Sequence, residues 1–526
     1  MTIRRTRALV LLGHGSHHDA ESSDPVHSHA DALRRRGIFD EVLAAFWKNE
    51  PNLCHALDLT ESDDLFVVPF FISEGYFTQE VIPRELEIHG GITRRGNRRI
   101  LYAEPVGTHP AMTAALRHCA ETAVHESGSA LSSPKETTLI IVGHGTTKNE
   151  RSAEAILRQV DLLKNENYFA EVLPAFLEQS PPVGEVLQRV RTPNAIAVPF
   201  FISDGLHSRQ DVPIVMGFAQ KGHRWKNPVE VKAVSRGTVG GAGSFCLWYA
   251  RAVGMDPQMA AVILERVREL EEEVGREPQA MRQESRIPAF GEASPATAGG
   301  QNPPIRQAQG RKSRSSPHRT ARRAREFAQE VKTAGSIELG ELLVRSEGAV
   351  FSVCHRADQD MPHAQLMELQ SPEEAHELAR TTSDGKYRPL NSAPTLRRGW
   401  IIRNLNAQGL GLFVNLMLPG VISRHAAFKK GALRIRSFQQ VAARQSGLYS
   451  DICRMSDDQV RSLARECCGQ GCVQTPMWPI RDGSSEFVIQ KTMSGRSLMI
   501  PCPEICSFAM ATGCEALRGR KADDKL

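Results

Sequence analysis

The chain has 526 residues, which is long enough for about three or four domains, and its hydrophobic content of 41% is that of a globular protein. Its formal charge of +5 is small and unevenly spread, with much of the basic excess in one central segment. No apolar run is long enough to span a bilayer, which excludes an integral helical membrane protein.

The N-terminus, MTIRRTRALVLLGHGS, places basic residues before an apolar stretch. The apolar part, Ala8 to Leu12, is too short for a signal peptide, and no small-residue cleavage site follows it. It reads as a first strand of a cytoplasmic protein. Asp24-Pro25 then starts a helix that Gly37 closes. Phe39–Trp47 and Leu65–Phe71 read as further strands.

The same pattern returns 130 residues later. Leu12-Gly13-His14-Gly15-Ser16 matches Val142-Gly143-His144-Gly145-Thr146, and FDEVLAAFWKNEP from Phe39 matches FAEVLPAFLEQSP from Phe169. VPFFISEG from Val68 matches VPFFISDG from Val198, Pro83 matches Pro213, and Gly107-Thr108 matches Gly237-Thr238. A constant offset through these segments is the mark of a duplication. Strands separated by helices imply an α/β fold, with a parallel sheet covered on both faces in each unit. Ligands bind beyond the carboxyl ends of such strands, where His14 and His144 stand.

The two units differ at three chemical positions. The second has His144, Glu178 and His207, where the first has His14, Lys48 and Phe77. Two imidazoles and a carboxylate suit a divalent first-row metal, and they also offer bases that can take up protons. A Gly-His-Gly at a strand end can equally be a tight turn, and that structural role stays open for His14. Lys48 and Phe77 are not metal ligands, so the pattern predicts one live site and one that has decayed.

Strand-GHGS/T, AFLE and PFFISDGLHSRQDVP, taken together, resemble the CbiX/sirohydrochlorin chelatase family, which is related to the class II chelatases. The resemblance spans roughly residues 5–250. It implies insertion of Co²⁺ or Fe²⁺ into sirohydrochlorin, in cobalamin or siroheme biosynthesis, with His144, Glu178 and His207 holding the metal over a cleft between two similar domains. Sirohydrochlorin carries several carboxylates, so His14, Lys48, Arg84 and Arg209 are candidate substrate contacts; for the basic ones, ordinary solvation is the alternative.

After Asp256-Pro257 an amphipathic helix runs to about Glu273. From about Gly275 to Ser316 the chain is rich in Pro, Gly, Gln, Ser and Ala, without periodicity, and reads as a flexible linker. It ends in a basic cluster of Arg306, Arg311, Lys312, Arg314, Arg319, Arg322, Arg323 and Arg325. No aromatic residues interleave, so a solvated linker running into a helix is favoured over a nucleic-acid tail. Beyond it, residues 330–450 predict a small α+β domain with strands at Phe351–Val353 and Leu412–Leu416.

Seven of the 11 cysteines lie after residue 450: Cys453, Cys467, Cys468, Cys472, Cys502, Cys506 and Cys514. Cys54, Cys119, Cys246 and Cys354 are scattered and read as small buried hydrophobes. Cys468-Gly-Gln-Gly-Cys472 and Cys502-Pro-Glu-Ile-Cys506 form two CxxxC pairs. Four thiolates suit a 4Fe–4S cluster or a structural zinc, and the proline after Cys502 favours iron–sulfur. Cys467, Cys453 and Cys514 remain rival ligands. The arrangement is similar to long CbiX-like proteins with a C-terminal 4Fe–4S domain, which supports Cys468, Cys472, Cys502 and Cys506.

The expected order is therefore a degenerate chelatase-like repeat (1–130), an active repeat (131–275), a basic linker (276–328), an α+β stabilising domain (329–448) and a 4Fe–4S domain (449–526). The competing reading is a non-catalytic metal or tetrapyrrole carrier, or a redox sensor that reports through its cluster. Assembly into a homo-oligomer stays open.

Overall fold

The computed structural model describes residues 5–17, 22–128, 133–145, 151–218, 229–235, 244–276, 318–388, 393–431, 433–445, 447–470, 472–483, 487–488 and 497–523. Thr146, Gly237-Thr238, the Pro/Gly-rich stretch and its Arg306, Arg311, Lys312 and Arg314 lie outside these residues.

Each repeat builds a five-stranded sheet. In the first, β1 (Arg7–Gly13), β2 (Glu41–Phe46), β3 (Asp64–Pro69), β4 (Ile92–Arg95) and β5 (Arg98–Tyr102) lie in the order β2-β1-β3-β5-β4. In the second, β6 (Thr137–Gly143), β7 (Glu171–Phe176), β8 (Asn194–Pro199), β9 (Val229–Ser235) and β10 (Ser244–Tyr249) repeat it as β7-β6-β8-β10-β9. All pairings are parallel except the hairpins β4/β5 and β9/β10. Leu12 faces Pro69 as Val142 faces Pro199, so the duplication extends to strand register.

Both faces of the central strands are covered. Ala8 through Leu12 are fully buried, and each such Val or Leu side chain contributes about 1.5–3 kcal/mol. Leu9 and Leu11 share one core with Leu139 and Ile141 of the other repeat. That core is cross-packed: helix Met112–Glu126 of the first repeat lies on β8 and β10, while helix Met259–Arg276 of the second lies on β3. His29 Nε2, 2.8 Å from the Gly254 carbonyl, adds a polar tie between repeats.

The outer faces diverge. Ile140 and Val142 pack against Val183, Val186 and Val212 of their own repeat. Ala8, Val10 and Leu12 share a core with the equivalent Leu53, Ala56 and Ile82, and that core continues into Phe438, Val441, Tyr449, Ile452 and Trp478 of the C-terminal region. Phe438, Val441 and Ala442 thus belong with the C-terminal core, and the boundary expected at 448/449 falls inside that unit.

The repeat correspondence also needs one correction. After Pro213 the offset widens from 130 to 147. The Tyr102 hydroxyl donates to the Thr78 carbonyl and the Tyr249 hydroxyl to the Ser208 carbonyl, both at 2.5 Å. Gly107 is therefore matched by Gly254, not Gly237. A Cβ on either glycine would sit 2.0 Å from a carbonyl oxygen, of Ile72 or of Ile202.

The third domain is an α+β unit of β11 (Ser336–Leu339), β12 (Leu342–Glu347), β13 (Val350–His355), β14 (Met367–Leu369) and β15 (Trp400–Leu405), in the order β11-β12-β13-β15-β14. The strand expected at Phe351–Val353 is present in β13, but the one at Leu412–Leu416 is not. Those residues lie in helix Ala407–Met417, whose Asn406 side chain accepts from the Gln408 and Gly409 N–H groups. The run is apolar because two helix faces are buried, and the cap decides its period. The linker is shorter than expected, since helix His318–Ala334 starts inside it and buries Ala324, Phe327, Ala328 and Val331. Among the described residues no single helix is long and apolar enough to cross a membrane.

Candidate metal centre

His144 follows β6, Glu178 follows β7 and His207 opens a π-helical turn, His207–Asp211, after β8. All three stand at the carboxyl end of the second sheet. The Glu178 N–H donates to the His144 carbonyl at 3.0 Å, which sets the two loops side by side. The His144 and His207 rings meet edge to face, with centroids 4.8 Å apart. His144 Nε2 and Glu178 Oε1 are 3.8 Å apart. The side chains are 39%, 55% and 48% exposed in the order His144, Glu178, His207, so the group is open to a ligand from solvent.

Each imidazole is fixed through its other nitrogen. His144 Nδ1 lies 2.7 Å from the Gly145 carbonyl, and His207 Nδ1 lies 2.6 Å from Asp211 Oδ2. Both contacts require Nδ1–H as donor, which leaves each Nε2 lone pair for a metal or a proton. Asp211 was missed in the sequence, although the offset of 130 sets it against Val81 and so marked it as different. Leu206, 54% exposed beside His207, and Leu157, 43% exposed, add apolar surface near the opening.

The first repeat keeps this frame with other chemistry. The Lys48 N–H donates to the His14 carbonyl at 2.8 Å, and His14 Nδ1 meets the Gly15 carbonyl at 2.9 Å. Phe77 lies on Phe71 at an interplanar angle of 33°, as His207 lies on Phe201. Phe77 also meets His14 and Trp47, and the Lys48 ammonium sits 5.9 Å from the Tyr449 ring centroid. The protein packed around His14, and then the Lys48 charge, hold its imidazole pKa below 6.5. Burial also lowers the Lys48 pKa.

The remaining candidate cations are held in ion pairs with neighbouring carboxylates. Arg84 donates through Nε and Nη2 to Glu85 Oε1, at 3.1 and 2.9 Å. Arg209 Nη2 stands 3.9 Å from Asp204, whose buried carboxylate also takes the Ala252 N–H at 2.7 Å and Arg251 Nε at 3.2 Å. Arg323 pairs with Glu61 and Arg322 with Glu326, so part of the basic cluster is spent on intramolecular ion pairs.

A second group of donors lies in the C-terminal domain. Cys468, Cys472 and Cys506 each raise the pKa of the Cys502 thiol, after burial as the main cause, so the four sulfurs share one neighbourhood. The Gln474 N–H points at Cys472 Sγ (3.4 Å) and the Ala509 N–H at Cys506 Sγ (3.5 Å). Four soft donors with backbone N–H groups aimed at them fit a 4Fe–4S cluster. Cys467 meets Thr512 and also feels Cys472, so it borders the same group, whereas Cys453 Sγ contacts the Ser450 carbonyl and Cys514 packs near Arg518 and Asp451. Among the described residues no three His, Cys, Asp or Glu side chains stand at ion-holding separation.

Residues 8–123 and 138–270 match the family model described as CbiX. Residues 321–429 match the DR2241 stabilising domain and residues 430–515 a 4Fe-4S iron-sulfur cluster binding domain. A probable sirohydrochlorin cobaltochelatase of Halobacterium salinarum is 36% identical over 300 residues, covering 53% of this chain and 97% of that protein. The crystal structure of DR2241 from Deinococcus radiodurans is described as a multi-domain protein with structural similarity to chelatases and two additional novel domains. It matches with a TM-score of 0.74 and 27% identity over 98% of this chain and 100% of that one.

Proposed function

This chain belongs to the CbiX family of chelatases, and on that premise we propose that it inserts a divalent metal, Co²⁺ by preference, into sirohydrochlorin. The observation that carries the reading is the pair of imidazoles, His144 and His207, whose Nδ1 atoms are both engaged and whose rings meet edge to face, with His144 Nε2 3.8 Å from Glu178 at an open sheet end. The metal is a substrate here, held by three groups that leave coordination positions free.

Insertion moves one divalent ion into the macrocycle and removes two pyrrolic protons, with no change of oxidation state. As the ion leaves His144 Nε2, His207 Nε2 and Glu178, their lone pairs become available to take those protons. Leu157 and Leu206 offer apolar contact to a flat ring at this opening. The first repeat supplies His14 and Lys48 as polar contacts for the substrate's carboxylates.

Cys468, Cys472, Cys502 and Cys506 are the residues that would hold the 4Fe–4S cluster. When bound, the cluster supplies a one-electron couple and a covalent link between the two CxxxC loops. Divalent insertion needs no electron, so its part in the reaction is structural.

The test is anaerobic metallation of free sirohydrochlorin by the whole protein with Co²⁺ and Fe²⁺, followed in the visible spectrum. Many turnovers per chain, faster with Co²⁺ and lost in His207→Ala, are expected. A single stoichiometric binding event without turnover would establish a carrier instead, and an unimpaired His207→Ala enzyme would refute the site.

A further inference from the structure

Away from the His144 opening, the first repeat and the third domain enclose a second, partly open space. It is a cavity of about 390 Å³. One wall is the edge strand β2 and the Leu59–Ser62 turn; the other is helix Ala407–Met417 and the start of helix Val421–Lys429. That volume is in the range of small-molecule sites, about 300–1,000 Å³.

The walls are not uniformly apolar, and their polar atoms are the informative part. Apart from His376 Nε2, which faces Asp31 Oδ2 at 3.6 Å, four side chains lining the cavity carry buried atoms without a hydrogen-bond partner: His27 Nδ1, Glu61 Oε2, Ser62 Oγ and Asn415 Oδ1. Arg323 engages Glu61 through Oε1 and leaves Oε2 bare. Ser62 is 1% exposed and His27 9% exposed, so bulk water does not serve them. A buried polar atom left without a partner costs about 1–3 kcal/mol, and four around one space call for an occupant that satisfies them.

The chemistry of that occupant follows from what the four atoms can do. A carboxylate oxygen and an amide oxygen only accept. A serine hydroxyl can accept, and burial holds the His27 imidazole neutral, so its ring nitrogen can accept as well. The occupant must therefore donate. The charged residues of the lining, Asp40, Glu41 and Glu61 against Arg34 and Arg323, lean negative. Phe39, Leu43, Leu59 and Leu416 supply apolar surface for a body behind the donating head.

We propose that this cavity is a second ligand site, for a small amphiphilic amine whose ammonium donates its three N–H groups to acceptors drawn from Glu61, Asn415, Ser62 and His27. It touches neither the His144 group nor the cysteines, so it stands or falls independently of the chelatase reading.

The test uses the full-length protein and dansylcadaverine, a primary amine on an aromatic body. Saturable fluorescence enhancement at one probe per chain is expected, displaced by hexylamine and not by hexanoate. Asn415→Leu removes one acceptor at similar size and should weaken binding by about tenfold, equivalent to ~1.4 kcal/mol. Leu416→Trp fills the space and should abolish it. A probe-induced rise in thermal midpoint, present in the wild type and absent in Leu416→Trp, separates occupancy from misfolding. No saturable binding would overturn the proposal, as would equal displacement by hexanoate or binding unchanged in both variants.

Discussion

Asp211 Oδ2 lies 2.6 Å from His207 Nδ1, four residues along the same π-helical turn. The contact fixes the tautomer that leaves the Nε2 lone pair free, on a ring that meets His144 edge to face. Loss of such an outer partner costs about 10–100-fold in metal affinity or activity. Asp211→Asn should therefore slow Co²⁺ insertion by that factor at low metal. Saturating metal should recover part of the loss, and the thermal midpoint should not move, because the carboxylate is 39% exposed. Metallation rate against Co²⁺ concentration checks both halves of this expectation.

Stability should fall in mild acid through histidines buried between elements. Burial lowers the His27 pKa well below 6.5 and also lowers that of His29. His376, Arg34 and Arg380 add to the depression at His27, and Asp31 opposes it. The unfolded chain then binds protons that the folded chain refuses, so this contribution is complete above pH 6.5 and is lost as pH falls below it. The slope is about 1.4 kcal/mol per pH unit per proton at most. Melting scans from about pH 7.5 to 5.5 should show a falling midpoint, with a shallower fall in His27→Phe.

Gly107 and Gly254 let the chain pass against the Ile72 and Ile202 carbonyls, where a Cβ would stand at 2.0 Å. Backbone on both sides of the contact leaves nothing flexible to yield. Gly254→Ala should cost ~3 kcal/mol or more, the upper end of overpacking losses. It should also weaken the His29 bond to the same residue. Denaturant titration against a control alanine at Gly275, which has open space around it, measures the difference.

Gly254 also shows where sequence reading stopped. The turns at His14 and His144 were legible because backbone geometry restricts them to Gly-His-Gly at a strand end, and the offset of 130 carried that restriction to Pro213. Beyond it, inserted residues shifted the register, and Gly237 matched Gly107 by chance. The cross-packing of helices Met112–Glu126 and Met259–Arg276 left no local signal, since either sheet would bury the same apolar stripe. Leu412–Leu416 was read with the wrong period because a five-residue apolar run is ambiguous without its cap at Asn406. The cysteine pairs were legible from spacing. The joining of their domain to the core of the first repeat was not, because both sheet faces are apolar in a buried parallel sheet.

That joining predicts a structural consequence of cluster loss. Glu504, inside the Cys502–Cys506 loop, meets His55 Nε2 at 3.3 Å and Arg436 at 2.7 Å, so the loop is keyed to the turn after β2. Cys506→Ser should lose bound iron and sulfide. It should also raise amide exchange over Trp47–His55, while leaving the Glu178–Pro182 loop of the second repeat protected. Cys453→Ser should keep full iron content, because that thiol is exposed and engages the Ser450 carbonyl. Iron analysis and hydrogen exchange on the two variants test the assignment.

The first repeat should resist revival as a metal site. Lys48→Glu with Phe77→His restores the three ligand types, and the shared 33° stacking on Phe71 and Phe201 would set the new imidazole correctly. The residue four positions on is Val81, however, where the second repeat has Asp211. Without an acceptor for Nδ1–H the tautomer is not fixed, so a second Co²⁺ should bind about 10–100-fold more weakly than the first. Adding Val81→Asp does not mend this. Val81 is 4% exposed and belongs to the core beneath the C-terminal domain. A carboxylate there loses its water, rises in pKa and destabilises the fold by several kcal/mol. Equilibrium dialysis should find one tight Co²⁺ per chain in the double variant, and melting should show the triple variant as the least stable of the set. Two tight ions in the double variant would mean that the outer carboxylate is dispensable, and single-site behaviour would then rest on Lys48 and Phe77 alone.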